Sequence, residues 1–185
     1  MVRNQERDFK KANSGFSLIE LTIILCIVGF CISISGSVFS AWIPDYRLRT
    51  RAKELYSDMY FAKMKAIKEN SNCKIIFMTG ETESYSIQNA DGNIDKTVVF
   101  SSSESNHKIG FGCGSATKSA VKSGGAPPDD GISYTSNTVS FNFRGTGKSG
   151  YVYIDNSKGS SYAIGSLSSG VIFLKKWDKS SGSWK

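Results

Sequence analysis

Histidine is almost missing from this chain. Of its 185 residues only His107 is a histidine, and it lies in a Ser/Asn-rich stretch where a solvated loop residue is the plain expectation. The side chain that most often serves as a general base or zinc ligand is therefore nearly unavailable. No Cys/His cluster has zinc spacing, no nucleotide-binding glycine motif follows an apparent strand, and Asp129-Asp130 sits in a Gly/Pro-rich segment. The turn "RGTG", Arg144 to Gly147, is a poor phosphate cradle, because a strand and not a helix is expected after it. With no catalytic constellation, metal set or cofactor motif in view, the expectation is a protein that is not an enzyme and carries no cofactor.

Charge is missing from one place. From Leu21 to Ile43 there is no formal charge over 23 residues, where about 20 suffice for a helix to cross a bilayer. The expectation is a membrane segment. A secretory signal peptide is the alternative, but its apolar core is shorter, about 7 to 15 residues, and is followed by a small-residue cleavage site. Elsewhere the formal charge of +7 is spread out. Four basic residues (Arg3, Arg7, Lys10, Lys11) face two acidic ones before Phe16; seven face four over residues 45–70, and twelve face nine over residues 71–185. This is a mild bias towards anionic partners, below the basic density of a dedicated nucleic-acid domain. The basic start should keep the N-terminus in the cytoplasm and send the long C-terminal part across. Cysteine is sparse too. Cys26 and Cys31 lie in the apolar run and read as small hydrophobes. Cys73 and Cys113 lie in the polar part, where an oxidising compartment would allow them to pair or leave them free.

Just before the uncharged run stands Glu20. A carboxylate in a membrane segment costs a few kcal/mol at the bilayer centre and less near an interface. One reading is that it reaches the headgroups and does nothing; the other is that it awaits a cation from another chain, such as a protein N-terminus.

The basic leader followed by "SGFSLIEL", with Gly15 before Phe16 and Glu20 fifth from a chain that would begin at Phe16, resembles the type III (prepilin) signal of type IV pilins and type II secretion pseudopilins. The resemblance implies that a prepilin peptidase, a membrane aspartyl protease, cuts after Gly15 and that Phe16 is N-methylated. It implies that the hydrophobic helix stays attached, and that Glu20 pairs with the N-terminal amine of a neighbouring subunit as a filament grows. A charge that is costly alone and satisfied in the assembly would favour extraction into register.

After Pro44 the pattern turns amphipathic. Leu48, Ala52, Leu55, Met59, Ala62 and Ala66 recur at spacings of 4, 3, 4, 3 and 4, flanked by Tyr56, Phe61 and Ile67. Asp45 suits the start of this half and "ENSN" from Glu69 supplies a stop. If Pro44 only kinks the chain, residues 16–70 form one helix of roughly 80 Å. Beyond Asn72 the helical period gives way to short strand signals: "CKIIFMTG", "ESYSIQ", "KTVVF" after the turn "NADGN", then "GISYTS", "TVSFNF", "GYVYID", "SYAIG" and "GVIFLKKW". Residues 112–131, rich in Gly, Ser and Pro, read as a long exposed loop.

The later segments, "VSFNFRGTGKSGYVYIDNSKGSSYAIGSLSSGVIF", and the helix text "YRLRTRAKELYSDMYFAKMKAIKEN" are similar to the GspH/FimT-type minor pilins and pseudopilins. Together these readings predict an α+β, type IV pilin-like fold. Its parts are a cleaved leader (1–15), a hydrophobic transmembrane and filament-core helix (16–44), an amphipathic helix half (45–70) and a mostly antiparallel β-rich head (71–185). The implied role is a structural subunit of a type IV pilus or type II secretion pseudopilus. Its partners would be other pilins or pseudopilins, the peptidase and the bacterial inner membrane, with the head outside the cytoplasm. The alternative is a DNA-uptake minor pilin. Its candidate DNA-binding residues are in the tail "LKKWDKSSGSWK": Lys175, Lys176, Lys179 and Lys185 for phosphates, Trp177 and Trp184 for stacking. A solvated, frayed lysine-rich terminus is the competing reading of that tail.

Overall fold

The apolar stripe after Pro44 determines where the core begins. Leu48, Ala52, Leu55, Met59, Ala62 and Ala66 all have no exposed surface, as one face of a 3.6-residue helix requires when it packs on a sheet. The helix that carries them, α1, runs from Leu18 to Lys68 and continues through Pro44. It ends where Asn70 takes a left-handed φ of 50°, and the Ser71 N–H reaches back to the Ala66 carbonyl at 3.1 Å. The computed structural model describes residues 15–100, 108–121 and 124–185, and for residues 34–41 the backbone alone. The leader residues 1–14 and His107 lie outside the described residues. The chain divides into two compact units, residues 1–41 and residues 42–185.

The fold is α+β with antiparallel sheets. The first sheet has the order β3 (Ile94–Val99), β2 (Ser84–Gln88), β1 (Cys73–Met78), β5 (Thr138–Phe141). The second has the order β4 (Ile109–Phe111), β6 (Gly150–Asn156), β7 (Ser161–Ser166), β8 (Ile172–Asp178), β9 (Ser183–Trp184). Strand β1 alternates buried and half-buried positions, so Cys73, Ile75 and Phe77 face inward. Ile75 stands opposite Ile87 on one side and Val139 on the other. These residues, the helix stripe, and Val152, Ile154 and Ile164 of the second sheet form one hydrophobic cluster.

Strands β6 and β7 are buried on nearly every residue, which one covered face cannot produce. Their other face carries a second cluster of Tyr151, Tyr153, Ala163 and Ala120, with Cys113 and Trp184 against it. Ala120 belongs to the segment 112–131, which is therefore not simply an exposed loop. The Tyr153 hydroxyl accepts from the Ala120 N–H at 2.8 Å and lies 2.9 Å from the Ser119 hydroxyl. Bonds of this kind supply side-chain partners for a backbone that has no sheet ladder of its own. The stretch "GISYTS" is not a strand. It makes one bridge, Ile132 to Val152, and then a short 3-10 turn at Thr135–Asn137, where Ser136 and Asn137 have left-handed φ. Tyr134 anchors it: its buried hydroxyl meets the Ser166 hydroxyl at 2.8 Å and accepts the Ser166 N–H at 2.9 Å.

A polar cluster ties α1 to the first sheet. The buried Tyr85 hydroxyl donates to Asp58 at 2.6 Å, and Lys96 Nζ approaches the same carboxylate at 2.8 Å and Glu54 at 3.3 Å. Burial, together with the bond to Asp58, pushes the Tyr85 phenol far above its usual range. Asp58 is nearly buried and has two partners; removing it leaves the buried Tyr85 hydroxyl without an acceptor and Lys96 with Glu54 alone. Asp58→Ala is expected to cost about 3 kcal/mol in denaturant unfolding of the full chain in detergent. Tyr85→Phe, which leaves the Lys96 pair intact, should cost less than half of that.

Candidate functional site

A helix with apolar residues on every side needs cover on every side. Every residue from Gly15 to Ser33 is exposed, and among them Phe16, Leu18, Ile19, Phe30 and Ile32 each show more than 60% of their surface. An uncovered apolar surface of this extent marks an interaction surface for lipid or protein. The segment's hydroxyls are partly met from within: Thr22 donates to the Ile19 carbonyl and Ser33 to the Gly29 carbonyl, both at 2.8 Å. Glu20, in the first turn of α1, takes part in no ion pair among the described residues. Among the described residues no helix is long and apolar enough to cross a membrane. The run from Leu21 to Ile43 includes residues 34–41, described by backbone alone.

Two glycines in this segment have no internal reason to be glycine. Gly15 has an ordinary φ, and a Cβ added there would meet nothing within 4 Å; the same holds for Gly29, inside the helix. A glycine inside a helix costs about 1 kcal/mol relative to alanine, so its benefit has to come from what approaches from outside. The chain matches no family model, no curated protein and no solved structure.

The C-terminal tail is a built hairpin and not a frayed end. Trp177 of β8 pairs with Trp184 of β9, their rings 5.2 Å apart, and Lys176 and Lys185 exchange backbone hydrogen bonds at 2.7 and 3.0 Å. Trp177 is buried; Trp184 packs on Tyr153 at 5.4 Å and donates its indole N–H to the Lys118 carbonyl at 2.6 Å. Both indoles are thus engaged within the chain. The lysines face different ways. Lys175 donates to the Ala120 carbonyl at 2.9 Å and lies over the Tyr151 ring, Lys179 donates to the Lys158 carbonyl, and Lys185 pairs with Asp178. Lys176 is exposed and lies 6.0 Å over the Tyr162 ring. The Lys185 ammonium, then two serines, hold the Asp178 carboxyl well below the usual carboxylate range.

Sequence reasoning did not single out the group that Lys176 joins. Trp42, Tyr46, Arg49 and Lys53 leave the end of the apolar run at spacings of 4, 3 and 4, and with Lys176 and Lys185 they line a groove of about 450 Å³. The available signal was the change from apolar to aromatic-plus-cationic residues at Trp42. The turn at Arg144 to Gly147 holds no free cradle: the Asn142 side-chain oxygen already accepts the N–H groups of Arg144 and Thr146 at 3.0 and 3.2 Å. Among the described residues no group of three or more His, Cys, Asp and Glu is placed to hold a metal ion.

Cys73 and Cys113 do not form the candidate disulfide; both are free. Cys73 is buried in the main cluster, whereas Cys113 packs against the second cluster on the other face of β6 and β7. Burial, then the nearby carboxylates of Asp155, Asp130 and Asp129, pushes the Cys113 thiol up to about 12. In the folded protein at pH 8, iodoacetamide is expected to label Cys113 roughly a thousandfold more slowly than an unhindered thiol, as read by peptide mass spectrometry. A Cys73–Cys113 bridge in the unreduced chain would contradict this arrangement.

Proposed function

We propose that this chain is a minor pilin or pseudopilin: a structural subunit that is made as a precursor, held in the bacterial inner membrane and assembled into a type IV pilus or type II secretion pseudopilus. The observation that carries the reading is the bare apolar segment from Phe16 to Ser33, with one carboxylate at its start and a separately packed head after it. In the proposed cycle the segment is covered first by lipid and then by the matching segments of neighbouring subunits. The head, residues 42–185, carries its own core through both states.

Gly15 supports cleavage at the Gly15-Phe16 bond. The fold places no demand on that position, and the site is exposed and precedes the first helical residue, Leu18. A protease that reads an extended, side-chain-free position explains a glycine that the chain itself does not need. Glu20 supports assembly. Its charge is opposite to the new amine at Phe16, and a carboxylate entering an apolar filament core needs such a partner, because an unpaired one is strongly destabilising there. Gly29 would let a neighbouring helix approach closely. Phe61, Met64 and Ile67, on the part of the helix that belongs to the head, are exposed as well. The proposed role is assembly, with no catalytic step.

Three outcomes are expected in a host that assembles such filaments. The mature chain begins at methylated Phe16, read by mass spectrometry, and Gly15→Val abolishes cleavage while leaving the unfolding of the head unchanged. Glu20→Gln lowers the amount of chain in sheared filaments by at least about tenfold at equal membrane levels. A mature chain that starts at Met1, or full incorporation of Glu20→Gln, would contradict the reading.

A further inference from the structure

The apolar run gives way at Trp42 to a helix face that is aromatic and then cationic. Trp42 and Tyr46 are exposed, with ring centroids 5.4 Å apart and planes tilted by 31°. Arg49 and Lys53 continue the face at helical spacing. From the second sheet, Lys176 and Lys185 close the other wall of the same groove. Asp45 is the one carboxylate among the lining residues, and it is already engaged. Burial would raise its carboxyl, but the Asn156 side-chain amide at 2.8 Å, then Ser160, Lys176 and Lys158, hold it below the usual range. Arg49, Lys53 and Lys176 enter none of the ion pairs formed among the described residues, and Lys185 shares only Asp178. The groove therefore gathers four cations, one of them paired with Asp178, around one occupied lining acid.

We infer that this groove binds the phosphate headgroup of an anionic phospholipid, with Arg49, Lys53, Lys176 and Lys185 around the phosphate and Trp42 and Tyr46 at the level of the interface. The inference rests on the reading that the preceding apolar run enters a membrane. Given that, position decides the occupant. Trp42, the first lining residue, stands in the chain at the C-terminal end of the run, so a bilayer that the run enters brings its headgroups to that residue. Trp and Tyr with flanking cations are the side chains that favour this depth. Clustered lysine and arginine next to a membrane segment are attracted to anionic lipid by about fivefold in affinity for each charge. A polynucleotide would want open aromatic platforms for its bases. Here Trp42 and Tyr46 lie tilted against each other, and both tail indoles are packed within the head.

Two measurements on the full chain separate this inference from the reading beneath it. The first is flotation with vesicles of pure phosphatidylcholine. The chain is expected to float; failure would overturn membrane anchoring and the headgroup site with it. The second is equilibrium binding of short-chain phosphatidylglycerol, against short-chain phosphatidylcholine, to the chain held in zwitterionic detergent. Phosphatidylglycerol is expected to bind at least tenfold more tightly. Arg49→Gln with Lys176→Gln, both exposed positions, should weaken it by about 25-fold with unchanged thermal unfolding. The pair Lys53→Gln with Lys185→Gln should do the same. Equal binding of the two lipids, or insensitivity to both pairs, overturns the headgroup site while anchoring stands. A short single-stranded oligonucleotide that displaces phosphatidylglycerol at lower concentration than the lipid itself binds would also overturn it, in favour of a polynucleotide.

Discussion

The burial of six small and medium residues along one stripe of α1 is the constraint on which the head depends. Leu48, Leu55 and Met59 each remove most of a side chain from water, worth about 2 kcal/mol apiece. Ala52, Ala62 and Ala66 are fully buried between them. Residues of both sheets share the stripe's cluster: Ile75 and Val139 on the first, Val152 and Ile164 on the second. The turn between β5 and β6 and the turn between β7 and β8 are pressed together. A Cβ on Gly170 would collide with the Gly145 carbonyl, and both residues have left-handed φ, so glycine is needed at each. The polar cluster at Asp58 adds register to this burial, since the Tyr85 hydroxyl and the Lys96 ammonium reach one carboxylate only at one position along the helix.

The same helix is used in two opposite ways along its length. On the 42–185 side one apolar stripe, Leu48 to Ala66, is sorted to a single face and consumed by the core; between Phe16 and Ser33 the apolar residues are unsorted and uncovered. Covering the second part from within would require a further sheet or helix layer that the described residues do not contain. In the proposed assembly that cover comes from lipid and then from other subunits, and the features that the fold does not itself need become intelligible: a glycine at position 15, a glycine at position 29 and a carboxylate at position 20. Function in this protein would then lie in what the chain leaves unsatisfied, not in a pocket with assembled chemistry.

Much of this was legible in the sequence because periodicity reports burial directly. The 4-3-4-3-4 recurrence from Leu48 to Ala66 is matched residue for residue by complete burial, and "CKIIFM", "SYSIQ", "GYVYID" and "SYAIG" lie on strands. What was not legible depended on partners distant in the chain. Strand β4 is three residues long and exists because Ile109 to Phe111 pairs with the end of β6; no local pattern announces it. Strand β9 and the order of the tail depend on Trp184 meeting Trp177 and Tyr153. The segment 112–131 has the composition of an exposed loop, yet it is held down through backbone groups that any residue has, with Ala116 and Ala120 buried in it. "GISYTS" alternates like a strand, but Tyr134 is pinned by Ser166 and the chain turns at Ser136 and Asn137 instead. The cysteines could not be placed from spacing, because β6 and β7 stand between the two clusters that receive them.

In the proposed filament the apolar segment is finally covered by the same segment of other subunits. This cover is tested most directly by placing a photo-crosslinking side chain at Ile24, an exposed position one turn after Glu20, in cells that assemble filaments. Adducts are predicted between Ile24 and residues of a second subunit's N-terminal segment, disappearing when assembly is blocked. Adducts confined to lipid while the chain is present in filaments, or adducts to the chain's own head, would contradict it.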